Sequence, residues 1–151
     1  AAGGVQMMRA ALEGAEEAAA GSMSRRPLII AVTQLTSTDQ ATLNDEIGIP
    51  GPIADAVSRY AELTKQAGLD GVVSSAQEVP LIKQKCGTTF LTVTPGIRPV
   101  WSVKGDQARV LTPKQAVQQG TDYLVIGRPV TRADAPASAL NRIIEEMSSN
   151  D

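Results

Sequence analysis

Histidine is missing from all 151 residues, and cysteine occurs once, at Cys86. The first absence removes Ser-His and Cys-His nucleophile pairs, imidazole-ligated zinc and the commonest general acid–base group. Any chemistry must therefore use carboxylate, lysine or positioned backbone groups. A single cysteine excludes an internal disulfide and suits a reducing cytoplasm. With no base near it in sequence, Cys86 reads as a packing residue rather than a reactive thiol. No apolar run reaches 18 residues, so no transmembrane helix is expected. The formal net charge of -2 lacks the basic excess that a nucleic-acid-binding face needs. The opening "AAGGVQMMRAALEG" has no positive segment leading into an apolar one, so it is not expected to be a signal peptide. It also lacks an initiating Met, and the natural start is expected to lie elsewhere. What remains is a chain with 42% hydrophobic residues, enough for one ordinary core in a single domain, 1–151.

What is present alternates between strand and helix. Residues 5–20, rich in Ala, Glu, Met and Leu, predict a helix. "LIIAVT", 28–33, is an unbroken apolar run after the basic "GSMSRRP" and predicts a strand buried on both faces. The polar stretch "QLTSTDQATL" reads as a loop. "GPIADAVSRYAELTKQAG" places Ile53, Val57, Tyr60 and Leu63 at helical spacing, with Gly68 as the stop. "GVVSS", 71–75, predicts the second strand. "AQEVPLIKQKCG" predicts a short helix, with Pro80 tolerable only near its first turn. "FLTVT", 90–94, predicts the third strand. "PKQAVQQG" predicts a compact helix with Thr112 as its N-cap. "YLVIG", 123–127, predicts the fourth strand, and "APASALNRIIEEMSS" an amphipathic closing helix. This α/β order implies parallel strands with helical crossovers. A doubly wound open sheet and part of an eightfold barrel both fit, and both bind ligands at the carboxyl ends of their strands.

Two glycine-arginine clusters stand at those ends. After the third strand comes "PGIR", where Gly96 permits a sharp turn and Arg98 offers a planar fork of donors. After the fourth comes "GRPVT": Gly127 removes a Cβ where a ligand would press close, Arg128 adds a second cation, and Pro129 stiffens the exit. Their shared position suggests a phosphate clamp, since barrels often hold phosphate after their last two strands. The competing interpretation is two surface arginines in ion pairs. Between the clusters, "LTVTPGIRPVWSVKGDQARVLTP" is a long loop carrying Arg98, Lys104 and Arg109.

The blocks "LIIAVTQLTS", "GLDGVVSSAQE", "VTPGIRP" and "GDQARVLTPKQAVQQGTDYLVIGRPVTRADAP", in this order, resemble the carboxyl-terminal half of bacterial orotidine 5'-phosphate decarboxylases. The opening "AAGGVQMM" resembles the segment after that family's fourth strand. The resemblance implies a (β/α)8 TIM barrel, of which this chain would cover about the last four βα units. It also implies a cytoplasmic homodimer that converts orotidine monophosphate to uridine monophosphate and CO2, in pyrimidine biosynthesis, without cofactor or metal. By the same resemblance, Thr36, Arg98, Gln107, Gly127 and Arg128 would bind substrate. The long loop would be a lid over the phosphate, with Gln107 donating through its amide and Lys104 and Gly105 lending flexibility. Trp101 and Val103 would pack against the closed lid or remain as exposed apolar residues.

One departure is large. The family's chemistry belongs to a lysine–aspartate network around a KDxKxxDI-type motif in the other half, where lysine protonates the emerging carbanion. No Asp-x-Lys occurs in this sequence. Lys65, Lys83, Lys85, Lys104 and Lys114 fall on predicted helices or in the lid. Asp70 and Asp122 precede strands, at the end away from the expected site. No catalytic residue is therefore assigned, and the isolated chain is expected to be inactive. Four strands alone would also leave two sheet edges open and barrel-facing side chains wetted, so the chain is expected to be a piece of a longer enzyme. Two alternatives stay open: a half-barrel that binds phosphorylated nucleotides without turnover, and another phosphate-binding barrel enzyme. The latter would need a strand-end lysine or carboxylate.

Overall fold

The computed structural model describes residues 1–21, 25–102 and 109–148. Helix α1 (Gly4–Ala20) leads into strand β1 (Ile30–Val32), a π-helical turn at Thr42–Glu46 and helix α2 (Ile53–Gln66). Strand β2 (Gly71–Val73), a 3-10 turn (Ala76–Glu78) and helix α3 (Val79–Cys86) follow. Then come β3 (Leu91–Thr94), α4 (Pro113–Gln118), β4 (Tyr123–Leu124), α5 (Arg128–Thr131) and α6 (Pro136–Ser148).

The four strands form one parallel sheet in the order β1-β2-β3-β4. A doubly wound sheet reverses its strand order at a switch point, whereas a barrel winds on in one direction. Strict sequential order therefore selects the barrel alternative, and the chain forms about half of one.

Register explains which face is packed. Ala31, Val72 and Thr92 share one row across the sheet. Val72 is fully buried in a cluster with Val57 and Ala61 of α2, Ile82 and Cys86 of α3, and Phe90, so this row faces the helices. Val32, Val73, Val93 and Tyr123 share the alternate row. Its outer members are wetted, Val32 at 45% exposure and Tyr123 at 54%. These are the side chains that a closed barrel would turn inward, as the sequence led one to expect.

Two aspartates fasten the amino ends of the strands. The Asp70 carboxylate accepts two 2.8 Å hydrogen bonds from Arg26 and one of 2.7 Å from the Ile29 amide. Asp122 accepts from Lys83 Nζ at 2.6 Å and from the amide and hydroxyl of Thr92 at 2.7 and 2.8 Å. Each ties the segment before a strand to its neighbour, at the end opposite the candidate site.

The edge strands are shorter than the expected 28–33 and 123–127. Each has a neighbour on one side only, and the Ile29 amide is taken by Asp70 rather than by a ladder partner. The expected loop after β1 runs into the π-helical turn, and Pro129 opens α5 instead of merely stiffening an exit. Among the described residues, no helix is long and apolar enough to cross a membrane.

Candidate functional site

The site begins where β3 ends. Pro95 and Gly96 follow Thr94, and Gly96 adopts φ +77°, a left-handed conformation that side-chain-bearing residues rarely take. The turn sends the chain back so that Ile97 pairs with Leu111, the residue just before the N-cap of α4. There the Arg98 amide donates to the Leu111 carbonyl at 3.0 Å. The Arg98 guanidinium is nearly buried and donates to the Ile97 carbonyl at 2.8 Å. One strand over, Gly127 precedes α5, which carries Arg128 and the buried Pro129. Arg132 follows four residues after Arg128, on the same side of the short helix.

These two strand ends share a cavity of about 420 Å³, lined by Arg98, Trp101, Ser102, Arg128, Pro129, Arg132 and Ala133. Three guanidiniums and no carboxylate face it among the described residues. Such a lining favours an anion and matches the geometry of phosphate or carboxylate oxygens. Helix α6 backs the site, with the Arg142 guanidinium stacked over the Trp101 ring at 4.4 Å. A second cavity of about 260 Å³ lies on the other side of Arg98, bounded by Pro99, Ser102, Leu111 and Gln115.

The sequence-expected residues fall as follows. Arg98 and Arg128 come together on the larger cavity. Gly127 is exposed beside Arg128, and a Cβ built there would meet nothing within 4 Å, so no neighbour among the described residues requires glycine. Thr36 is buried in the loop after β1 but does not line the cavity; its carbonyl accepts from the Arg109 amide at 3.3 Å. Gln107 lies outside the described residues, with Val103, Lys104 and Gly105. Lys65 sits on α2, Lys83 and Lys85 on α3, and Lys114 on α4, so none of these ends a strand. Cys86 is buried in the helix-facing core, where burial pushes its thiol pKa up, as suits a packing residue.

Sequence reasoning missed a buried ion pair beside the site. Glu78 and Arg109 are each more than nine-tenths buried, and Arg109 Nη1 pairs with Glu78 Oε1. Burial pushes the Glu78 carboxyl above its ordinary pKa, while the charge and hydrogen bond of Arg109 pull the other way. Arg109 Nη2 also donates to the Leu35 carbonyl at 2.8 Å, and Ser75 Oγ donates to the Arg109 carbonyl at 3.4 Å. The partners are 31 residues apart, and no local pattern announces them. Arg132 was missed as well, although its i+4 spacing from Arg128 is a legible signal.

A family model described as Orotidine 5'-phosphate decarboxylase / HUMPS family matches residues 1–143. A relative from Alkalilimnicola ehrlichii named Orotidine 5'-phosphate decarboxylase is 55% identical over 149 residues, 99% of this chain and 61% of the relative. One of the same name from Heliobacterium modesticaldum is 49% identical over 148 residues, 98% of this chain and 61% of the relative. The crystal structure of Orotidine 5'-phosphate decarboxylase from Lactobacillus acidophilus superimposes with a TM-score of 0.79 at 36% identity, covering 97% of this chain and 60% of that one. The chain thus spans about 60% of the length of the relatives it matches.

Proposed function

Because the chain belongs to the orotidine 5'-phosphate decarboxylase / HUMPS family, we propose that its 151 residues act as one domain holding the phosphate and ribose of orotidine monophosphate. The reaction is decarboxylation to uridine monophosphate and CO2, in pyrimidine biosynthesis. The observation that carries this reading is the single cavity lined by Arg98 and Arg128, from the ends of consecutive strands.

The chemistry follows from charge. A phosphate monoester near neutral pH is largely a dianion, and two planar guanidiniums can each give it paired hydrogen bonds. Arg132 adds a third positive charge on the same wall. Gly127 leaves room for an ester oxygen to approach the backbone. By the family resemblance, Thr36 contacts substrate from the loop after β1, and the loop of residues 95–112 folds over the phosphate as a lid with Gln107 donating through its amide. Energy gained at this remote group is then available to hold the lid shut and keep water from the reacting carbon. Losing CO2 leaves an electron pair on that carbon, which a proton must quench. The donor is a lysine of the Lys/Asp network outside these residues, since the described lysines all lie on helices. The complete enzyme works as a cytoplasmic homodimer with no cofactor or metal.

A second reading, binding without turnover, is favoured by the same placement of the lysines. Titration of the chain with uridine monophosphate and with uridine, beside an orotidine monophosphate turnover assay, tests both. The nucleotide should bind weakly, uridine should not bind measurably, and no CO2 should be released. Arg98→Ala and Arg128→Ala each weaken nucleotide binding on the order of tenfold or more, as expected for a lost charged hydrogen bond. Equal affinity for uridine and its monophosphate would overturn the phosphate grip.

A further inference from the structure

We propose that Glu78 and Arg109 form a latch that sets the position of Arg98 in the anion cavity, acting as positioning residues without touching the ligand. The inference rests on reading that cavity as the phosphate site, and it extends the site to two residues outside its lining.

The connection runs through short, specific contacts. Arg109 joins three loops that follow three consecutive strands. Its amide donates to Thr36 and its Nη2 to Leu35, both after β1. Its Nη1 pairs with Glu78, and its carbonyl accepts from Ser75, both after β2. Arg109 itself belongs to the long loop after β3. Two residues further on, Leu111 accepts the Arg98 amide at 3.0 Å and pairs with Ile97. Moving Arg109 therefore moves Leu111, and with it the backbone that carries Arg98 into the cavity. Arg98 borders the second cavity as well, so space exists on both sides for it to shift.

The pair is built poorly for stability alone. Burying two opposite charges costs several kcal/mol of desolvation per ion before attraction and hydrogen bonds offset it. Here the match is incomplete. Among the described residues, Glu78 Oε2 and Arg109 Nε are buried without hydrogen-bond partners, as is Ser74 Oγ. A saturated, two-pronged pair would satisfy both ions, whereas a single-pronged one fixes register with little net gain. Position, rather than added stability, is what this arrangement supplies.

The test uses Glu78→Gln, which keeps shape and removes charge, with Arg109→Lys as a second variant in case the first fails to fold. Amide hydrogen exchange is read by NMR, and affinity for inorganic phosphate and uridine monophosphate is measured at a temperature where circular dichroism shows all proteins folded. The Arg98 amide should exchange on the order of tenfold faster in the variants, because its acceptor is no longer held. The amides of Val72 and Ile82 should be unchanged, and affinity for both ligands should fall severalfold. Unchanged exchange at Arg98 overturns the latch. So does uniform acceleration across the core, which would make the pair merely structural. Selective acceleration at Arg98 in a protein that binds neither ligand upholds the latch and sinks the phosphate reading.

Discussion

Asp70 and Asp122 repeat one device, a carboxylate placed just before a strand that accepts backbone and cationic donors from its neighbours. At Asp70 the Arg26 hydrogen bonds come first, and the Ile29 amide adds to them, so the folded carboxyl is held below its ordinary pKa. At Asp122 burial pushes the pKa up, but the hydrogen bonds from Lys83 and Thr92 outweigh it and the net shift is downward. A carboxyl whose folded pKa is depressed stabilises the fold fully above its unfolded value. That contribution is lost as pH falls through the folded value. Unfolding free energy should therefore decline on acidification below the usual carboxylate range, and Asp70→Asn should flatten that decline in denaturant titrations. Asp122→Asn keeps the shape but loses charge-assisted acceptors, and should cost about 1–2 kcal/mol at neutral pH. Both aspartates were recognisable in sequence as residues preceding strands, on the side away from the site. Their partners were not, because Lys83 and Arg26 approach from 39 and 44 positions away.

Elements were legible where the signal is local. Thr112 was expected as an N-cap, and it accepts from the Gln115 amide while the Gln115 side chain accepts from the Thr112 amide. Thr112→Ala should lower stability by about 1 kcal/mol. It should also loosen the chain beside Leu111, visible as faster amide exchange at the start of α4. Less legible elements had composition working against them. The Ser, Thr and Asp content after β1 mimics an open loop, and Pro129 reads as stiffening the exit from the strand, although Pro is also tolerated in the first turn of a helix. Gly71 is the element-scale residue with a purely steric role. A Cβ there would run into the backbone carbonyl of Leu91 on β3. Gly71→Ala should therefore push β2 from β3 and reduce the folded fraction, whereas Gly127→Ala, with open space around it, should leave circular dichroism unchanged.

At the scale of the molecule, the half-barrel leaves one sheet face wetted and gives each edge strand a strand neighbour on one side only, with the Ala1 amino group donating to the Val32 carbonyl on the β1 edge. Val32 and Tyr123 lie on that face, and Leu28 and Val125 flank it, all of them 45% exposed or more. Unpaired edges beside wetted apolar side chains promote association. Sedimentation velocity should show mass rising with concentration, and Val32→Lys on the edge strand should suppress the rise without changing secondary structure. The parallel sheet and its uncovered face followed from apolar runs and strand count. The grouping of Arg98 with Arg128 followed from their place after consecutive strands. The part of the site that depends on contacts between distant loops, Glu78 with Arg109 and Arg142 with Trp101, left no trace in local patterns. The central claim is that Arg98 and Arg128 grip one phosphate together. Side-chain nitrogen NMR of the two guanidiniums during titration with uridine monophosphate tests it most directly. Both Nε–H resonances should move along the same binding curve and stay still with uridine, whereas movement of only one, or equal movement with uridine, would contradict the account.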